Sequence, residues 1–112
     1  MSKIRSFSES VCNDIGSKMD PATIVAIIYI VIEIVKYIQS CKKNTGDILP
    51  RIRRPGIVDV AIIQMVVRKK MESKTYKKYG KTIVDSIIKK CSDISKQDID
   101  DIFAEVSKNE KF

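Results

Sequence analysis

The chain has 112 residues, of which 44% are hydrophobic and 31% charged, and its formal net charge is +7. This length predicts one domain that buries roughly two thirds of the surface of its unfolded chain, and the composition is that of a folded protein. The sequence contains no histidine, which removes the commonest general base near neutral pH and disfavours most enzyme classes.

Isoleucine dominates the apolar residues of the chain, and lysine dominates the basic ones. There are 20 Ile against one Leu, Leu49, and 16 Lys against 5 Arg. This bias is typical of AT-rich coding and favours a bacteriophage, another virus or a low-GC microbe as the source. The charge is also uneven: residues 1–50 sum to +1, residues 51–92 to +9 and residues 93–112 to −3. An anionic partner is therefore expected to meet the middle of the chain.

Cysteine usage and the N-terminus predict where the protein works. Cys12, Cys41 and Cys91 are odd in number and form no C-x-x-C pair, so buried, reduced thiols are expected. Polar residues follow Lys3 and Arg5 where a signal peptide needs an apolar stretch. We expect an intracellular location or one within a virus particle, without secretion.

The first predicted helix covers residues 7–15. Ser6 and Glu9 have the spacing of a capping box, and Gly16 suits the residue after a helix end. A single apolar face is formed by Ile4, Phe7, Val11 and Ile15.

The second predicted helix covers residues 21–42. Asp20 and Pro21 supply an N-cap and a first helical residue, and Gly46 follows its end. A membrane span over 22–41 is one interpretation, since a span needs about 20 apolar residues. Glu33 and Lys36 oppose it, because each ion costs roughly 2.5–3.5 kcal/mol at mid-bilayer. An ion pair between these two side chains is expected instead.

Helix two and a third predicted helix over 56–79 are apolar on nearly all sides. Pro55 opens the third helix after a connector, and Gly80 is expected to end it. If half of the large apolar side chains of helix two stayed exposed to water, the fold would lose ~10–15 kcal/mol of stabilisation from burial. This is as much as the stability of a whole domain. A protein interface is therefore predicted at Ile24, Ile27, Ile28, Tyr29, Ile30, Val31, Ile34, Val35, Val58, Ile62 and Met65.

A simpler interpretation places helices two and three together at the centre of the fold, covered by the other helices. The remaining predicted helices cover 82–91 and 96–107. Ser95 is the predicted N-cap of the last helix, with Asp98 at its third position and Ile94 and Ile99 as a hydrophobic staple. The fold class predicted is all-α, a small single-domain bundle of about five helices with two strongly hydrophobic central helices.

The basic excess lies in the segment 51–81, where tyrosines alternate with cations. Such a segment is a candidate site for an acidic protein or a nucleic acid, since cations neutralise phosphates and tyrosine stacks on bases. Alternatively, the lysines form a solvated helix end that suits the negative end of the helix dipole. The candidate residues are Arg51, Arg53, Arg54, Arg68, Lys69, Lys70, Lys74, Tyr76, Lys77, Lys78 and Lys81.

The remaining motifs predict no chemistry. The last two helices have helix-turn-helix lengths, but Asp98, Asp100 and Asp101 would repel DNA phosphates. No calcium loop, glycine-rich phosphate loop or paired carboxylates are present in the sequence. No enzyme activity, cofactor or metal is predicted. We expect a structural interaction protein, a subunit of a homo- or hetero-oligomer such as a virion component, with a free nucleic-acid-binding protein and a membrane-anchored protein as alternatives.

Overall fold

The structure is a computed structural model that describes residues 2–16 and 21–108, apart from the side chains of residues 43–45. These residues form helices without strands, which confirms the all-α prediction. Six helices are present where about five were predicted. They are α1 Lys3–Ile15, α2 Pro21–Thr45, α3 Leu49–Arg53, α4 Ile57–Lys70, α5 Ser73–Ser92 and α6 Lys96–Lys108.

Helix α1 begins earlier than predicted because α6 caps it. The N-cap is Ser2, whose Oγ accepts the Arg5 N–H at 3.2 Å and donates to Glu105 at 2.7 Å. Glu105 also accepts the backbone N–H groups of Lys3 and Ile4 at 2.8 and 3.2 Å. These acceptors satisfy the first turn, so the predicted capping box at residues 6 and 9 is wrong. The predicted N-cap at residue 20 lies outside the described residues.

The connector after α2 contains a short helix that was not predicted. Gly46 follows the end of α2 with a φ of +79°, a conformation that favours glycine. Asp47 then accepts the Leu49 N–H at 3.1 Å, and Pro50 lies in the first turn of α3, where its missing N–H has no helical partner to lose. The one-turn helix α3 therefore forms, with Ile52 buried.

The third predicted helix is split in the structure, and the predicted stop at Gly80 is wrong. The chain leaves helical geometry at Met71, whose backbone is extended and whose side chain is buried. Helix α5 then runs through Gly80 to Ser92, so the predicted helix 82–91 is its second half. A Cβ on Gly80 would lie 2.6 Å from the Tyr76 ring, one turn earlier. Glycine is needed at position 80 for this close approach.

Helix α6 begins as predicted. The Asp98 N–H donates to Ser95 Oγ at 3.1 Å, and both Ile94 and Ile99 are buried, as a hydrophobic staple requires. This agreement reflects a purely local signal, because the cap and the staple involve residues within six positions.

The core is centred on α2 and α5. Helix α2 packs against α1, α4 and α6, and α5 packs against α1, α3 and α4. The predicted pair of central helices is therefore wrong in one member, since α4 lies at the edge and exposes one side. The most deeply buried large side chains are Ile4, Val11, Ile27, Ile30, Val67, Ile83 and Ile87.

Candidate interaction surfaces

Helix α4 exposes apolar side chains along its outer side. The exposed fractions are 91% for Ile57, 65% for Val58 and 62% for Met65. Val58 and Met65 are seven residues apart, which places them on one side of the helix, with half-buried Ile62 between them. The opposite side of α4 is buried and includes Ile63, Val66 and Val67.

Helix α2 contributes a second exposed row next to this side of α4. Val25 and Tyr29 are one turn apart and 46% and 45% exposed. Glu33, one turn further along, lies 3.6 Å from Lys69 Nζ and 3.3 Å from Lys70 Nζ. This ion pair therefore joins the row on α2 to the outer side of α4. We name this surface the α2–α4 face and define it by Val25, Tyr29, Val58, Ile62 and Met65.

The two helices run antiparallel along this face. Tyr37 of α2 contacts Asp59 near the start of α4, whereas Glu33 contacts residues near its end. Tyr29 and Met65 therefore lie on opposite sides of the ion pair, each about one turn away from it. The apolar groups form two clusters separated by charged side chains, and the face is not one continuous apolar stripe.

The structure divides the predicted protein interface into a buried and an exposed part. Tyr29, Val58 and Met65 are exposed, and Ile24 and Ile62 are half-buried. Val25 and Ile57 are exposed but were not predicted. The other predicted residues cannot touch a neighbour in this conformation because they form the chain's own core: Ile27, Ile28, Ile30, Val31, Ile34 and Val35.

The predicted ion pair within α2 is also corrected. Glu33 pairs with Lys69 and Lys70 of α4, while Lys36 is exposed one turn further along α2. The sequence favoured Lys36 because it is three positions away. Antiparallel packing of α4 brings two lysines to Glu33 instead.

The predicted basic residues are distributed over three helices. Arg51 is half-buried in an ion pair with Asp59 at 2.8 Å, and Arg53 donates to the Ile94 carbonyl at 3.0 Å. Tyr76 is half-buried against the core, so its ring is not freely available for stacking. The exposed members are Arg53, Arg54, Arg68, Lys69, Lys70, Lys74, Lys77, Lys78 and Lys81.

Four of these lysines form a stripe on the first half of α5. Lys74, Lys77, Lys78 and Lys81 recur at three- and four-residue spacing, so they lie on one side of the helix. Because α5 begins at Ser73 with no acidic residue in its first turn, Lys74 lies at the positive end of the helix dipole, and the other three lysines follow one to two turns further along. The alternative that these lysines suit a helix C-terminus is therefore wrong for α5. Their clustering costs folding energy.

The best-defined polar group in the structure joins α2, α3 and α4. Asp59 accepts the Tyr37 hydroxyl at 2.8 Å, Arg51 Nη2 at 2.8 Å and the Gly56 N–H at 3.1 Å. The Arg51 guanidinium, with smaller contributions from Tyr37 and Gly56, lowers the pKa of Asp59. Burial, followed by the hydrogen bond to Asp59, raises the pKa of Tyr37 to about 12. Arg51 Nη2 also donates to the Tyr37 hydroxyl at 3.2 Å, and this set of bonds around Asp59 is the arrangement of a helix tether.

Sequence reasoning did not predict this tether, although one signal was present. Asp59 is one of only two polar residues between Ile57 and Val67, and a charged residue in such a run needs a partner when it is buried. Arg51 was assigned to the basic segment instead. Arg51 lies eight positions before Asp59, and the spacing of residues within one helix does not predict their contact.

The cysteines lie at the margins of the core. Cys12, Cys41 and Cys91 are half-buried and not joined by disulfides. Burial raises the pKa of Cys91 to about 11, and burial together with Glu9 raises the pKa of Cys12. Raised values disfavour the thiolate, which is the reactive form. Cys41 and Cys91 line a cavity of about 30 Å³ beside the tether, large enough for about one or two waters only.

The described residues also bear on metal binding and on membrane insertion. Among the described residues, no group of three or more Cys, Asp and Glu side chains is placed to hold a metal ion. Residues Pro21–Lys42 are long and apolar enough to cross a membrane, and 39% of the window that meets this test is buried inside the protein. The hydrophobicity of α2 is thus explained at least partly by the core.

Comparisons with known proteins add no functional information. No family model, curated protein or solved structure matches the chain. The α2–α4 face and the lysine stripe on α5 are therefore the basis for inferring a function.

Proposed function

We propose that the protein is a non-enzymatic interaction subunit that binds a neighbouring protein chain through the α2–α4 face. The observation that carries this proposal is the exposure of Val58 and Met65, at 65% and 62%, since among the described residues only Val25, Tyr29 and Ile57 are other large apolar side chains that are exposed. Fully covering a Val or Met is worth about 1.5–3 kcal/mol. Covering these two side chains together with Tyr29 supplies several kcal/mol toward a complex.

The setting we propose is a larger assembly, such as a virus particle. The residue bias toward Ile and Lys supports this setting, since it is typical of AT-rich viral and phage genes. A non-enzymatic role is supported by how the protein uses its ionisable groups. Asp59 and Arg51 hold helices together, and Asp14 accepts Ser86 Oγ at 2.7 Å and lies 3.1 Å from Lys90 Nζ in a contact between α1 and α5.

The proposal is tested with the double variant Val58→Ser/Met65→Ser. Light scattering over a concentration series measures self-association, and fluorescence anisotropy measures binding of labelled amphipathic helical peptides. We expect at least one of these interactions in the natural sequence and its loss in the variant. The control Lys96→Ser/Ala104→Ser changes exposed residues on α6 and should leave the interaction intact. A monomer that binds no peptide, or binding unaffected by Val58→Ser/Met65→Ser, contradicts the proposal.

A second candidate function is nucleic-acid binding through the lysine stripe. The specific observation in its favour is that Lys74, in the first turn of α5, lies at the positive end of the helix dipole, where a cation opposes folding, and that Lys77 and Lys78 continue the stripe. Residues that cost stability are expected where function needs them.

Salt titration tests this second function. The logarithm of the affinity for duplex or single-stranded DNA should fall linearly with the logarithm of salt concentration, by about 0.7–0.9 per phosphate contact. Lys74→Gln/Lys78→Gln should reduce this slope by about 1.4–1.8 if both lysines contact phosphates. Lys96→Gln on α6 is the control. Affinity that does not change with salt rules out this function.

A further inference from the structure

The charged residues around the α2–α4 face indicate what kind of partner fits it. Lys36, Arg68, Lys69 and Lys70 lie beside or between the apolar groups of the face. Two acids accompany them: Glu33, and exposed Glu72, which lines a groove with Ala22, Ala26 and Lys70. Four cations and two anions leave a local charge of +2. Glu33 is already shared between two lysines, so it has little remaining charge to offer a partner.

The cations flank the apolar groups at defined positions. Arg68 follows Met65 by three residues and Lys69 follows it by four, so both extend the apolar row of α4 by one turn. Lys36 follows Tyr29 by seven residues and extends the row of α2 in the same way. Arg68, Lys69 and Lys36 are all exposed. A partner that covers Val58, Met65 and Tyr29 therefore meets basic side chains both beside the apolar clusters and between them.

We propose that the α2–α4 face binds an acidic amphipathic helix of another protein. This inference rests on the proposed function and specifies its partner. Helix α4 has 14 residues and is about 21 Å long, which matches a partner helix of three to four turns. The apolar stripe of the partner covers Val58, Ile62 and Met65, and its glutamates or aspartates pair with Arg68, Lys69 and Lys36. Helix-in-groove recognition uses such i, i+3, i+4 and i+7 anchors.

A second copy of the same chain fits this face poorly. In a two-fold dimer the same surface patch is present on both subunits. Two patches of charge +2 would then face each other, and like charges brought together at an interface cost several kcal/mol. The charge thus favours a different protein over self-association. A nucleic acid would satisfy the cations but leave the aliphatic side chains uncovered, and the lysine stripe on α5 offers it a better surface.

The test uses three fluorescent peptides of about 18 residues, with leucines at identical positions of one helical face and flanking positions that are all Glu, all Gln or all Lys. We expect affinity in the order Glu, Gln, Lys. The Lys peptide should bind at least about tenfold more weakly than the Glu peptide at low ionic strength, and salt should narrow this difference.

Matched variants connect the preference to named residues. Arg68→Glu/Lys69→Glu should reverse the order of the Glu and Lys peptides. Lys78→Glu/Lys81→Glu makes the same change of charge on α5 and should preserve the order, with a smaller, uniform effect. Val58→Ser/Met65→Ser should weaken binding of all three peptides. Circular dichroism and urea unfolding verify that each variant folds.

The possible outcomes separate the partner class from the proposed function. If the Gln or Lys peptide binds as tightly as the Glu peptide and Val58→Ser/Met65→Ser still abolishes binding, the acidic partner is wrong and the proposed function stands. Self-association through Val58 and Met65 would likewise show that the acidic partner is wrong and that the proposed function stands. If no peptide binds and the chain is monomeric, both fail. Binding of DNA that depends on Arg68 and Lys69 and excludes the Glu peptide also overturns the acidic helix.

Discussion

Helices α2 and α4 have similarly apolar sequences but opposite positions in the fold. In α2, Ile27 and Ile30 are fully buried because α1, α4 and α6 surround it. In α4, Val58 and Met65 are mostly exposed because the helix contacts α2 and α5 on one side only. An apolar run therefore indicates that a helix must be buried against other surfaces. The number of helices that pack against it determines whether its own chain buries it completely.

The largest expected effect comes from removing a core side chain of α2. Ile30→Ala should lower the free energy of unfolding by about 2–5 kcal/mol, since it leaves a cavity in a fully buried site. Met65→Ala in α4 should change it by no more than about 0.5 kcal/mol, as at other surface sites. Urea unfolding followed by circular dichroism measures both. A cost above about 2 kcal/mol for Met65→Ala would mean that the outer side of α4 is packed and not free.

The next effect concerns what holds α4 against α2. Asp59→Ala should cost about 2–3 kcal/mol, because it leaves the half-buried Arg51 and the Tyr37 hydroxyl without their shared acceptor. Tyr37→Phe should cost about 1 kcal/mol, since Arg51 still pairs with Asp59. Asp100→Ala, at an exposed position on α6, is the control. Equal costs for Asp59→Ala and Asp100→Ala would show that the tether contributes nothing.

The same tether predicts a pH dependence. The pKa of Asp59 is lower in the folded protein than in the unfolded chain, because Arg51 stabilises its charged form. Its contribution to stability is therefore complete above the unfolded pKa of about 4 and is lost as the pH falls through the lower, folded pKa. Acid unfolding of Asp59→Ala should start from a lower stability and lose less of it below pH 4. Identical pH profiles for the two proteins contradict this assignment.

A smaller effect is expected at Gly80, within α5. Ala normally stabilises a helix by about 1 kcal/mol over Gly, but here its Cβ would contact the Tyr76 ring. Overpacking costs about 1–3 kcal/mol, so Gly80→Ala should be destabilising by about 1 kcal/mol. In a Tyr76→Ala background the same substitution should be stabilising. Thermal unfolding of the four proteins measures this coupling, and the same sign in both backgrounds would refute the close contact.

Local signals in the sequence predicted much of the helical structure. The N-cap at Ser95 with its staple, the glycine ends after α1 and α2, and the apolar face of α1 all involve residues a few positions apart. The predictions were wrong where contacts between residues far apart in the sequence determine where a helix begins or ends. Glu105 of α6 caps α1, and the burial of Met71 ends α4 although neither glycine nor proline is present there.

The candidate surfaces show the same limit. Sequence periodicity identified Tyr29, Val58 and Met65 as members of a larger apolar set, and the structure alone separates them from buried neighbours such as Ile30. The lysines at residues 74–81 were predicted as candidates for binding an anionic partner, but their relation to the helix dipole depends on where α5 begins. That start is set by the break at Met71, which local spacing does not encode.

The smallest predicted effect follows from this break. Lys74→Glu replaces a cation in the first turn of α5 by an anion, and should raise the free energy of unfolding by about 0.5–1 kcal/mol at low salt. The gain should shrink in 1 M salt, because Lys74 is exposed and its interactions are screened. Lys89→Glu, in the last turn of the same helix, is the matched control and should be destabilising by a similar amount.

Opposite signs for Lys74→Glu and Lys89→Glu would show that the start of α5 carries positive charge at the expense of stability. Affinity for DNA should then fall in Lys74→Glu although the protein is more stable, which separates binding from folding. If Lys74→Glu is destabilising, Lys74 stabilises the first turn in the folded protein, and the stripe no longer requires a partner to explain it.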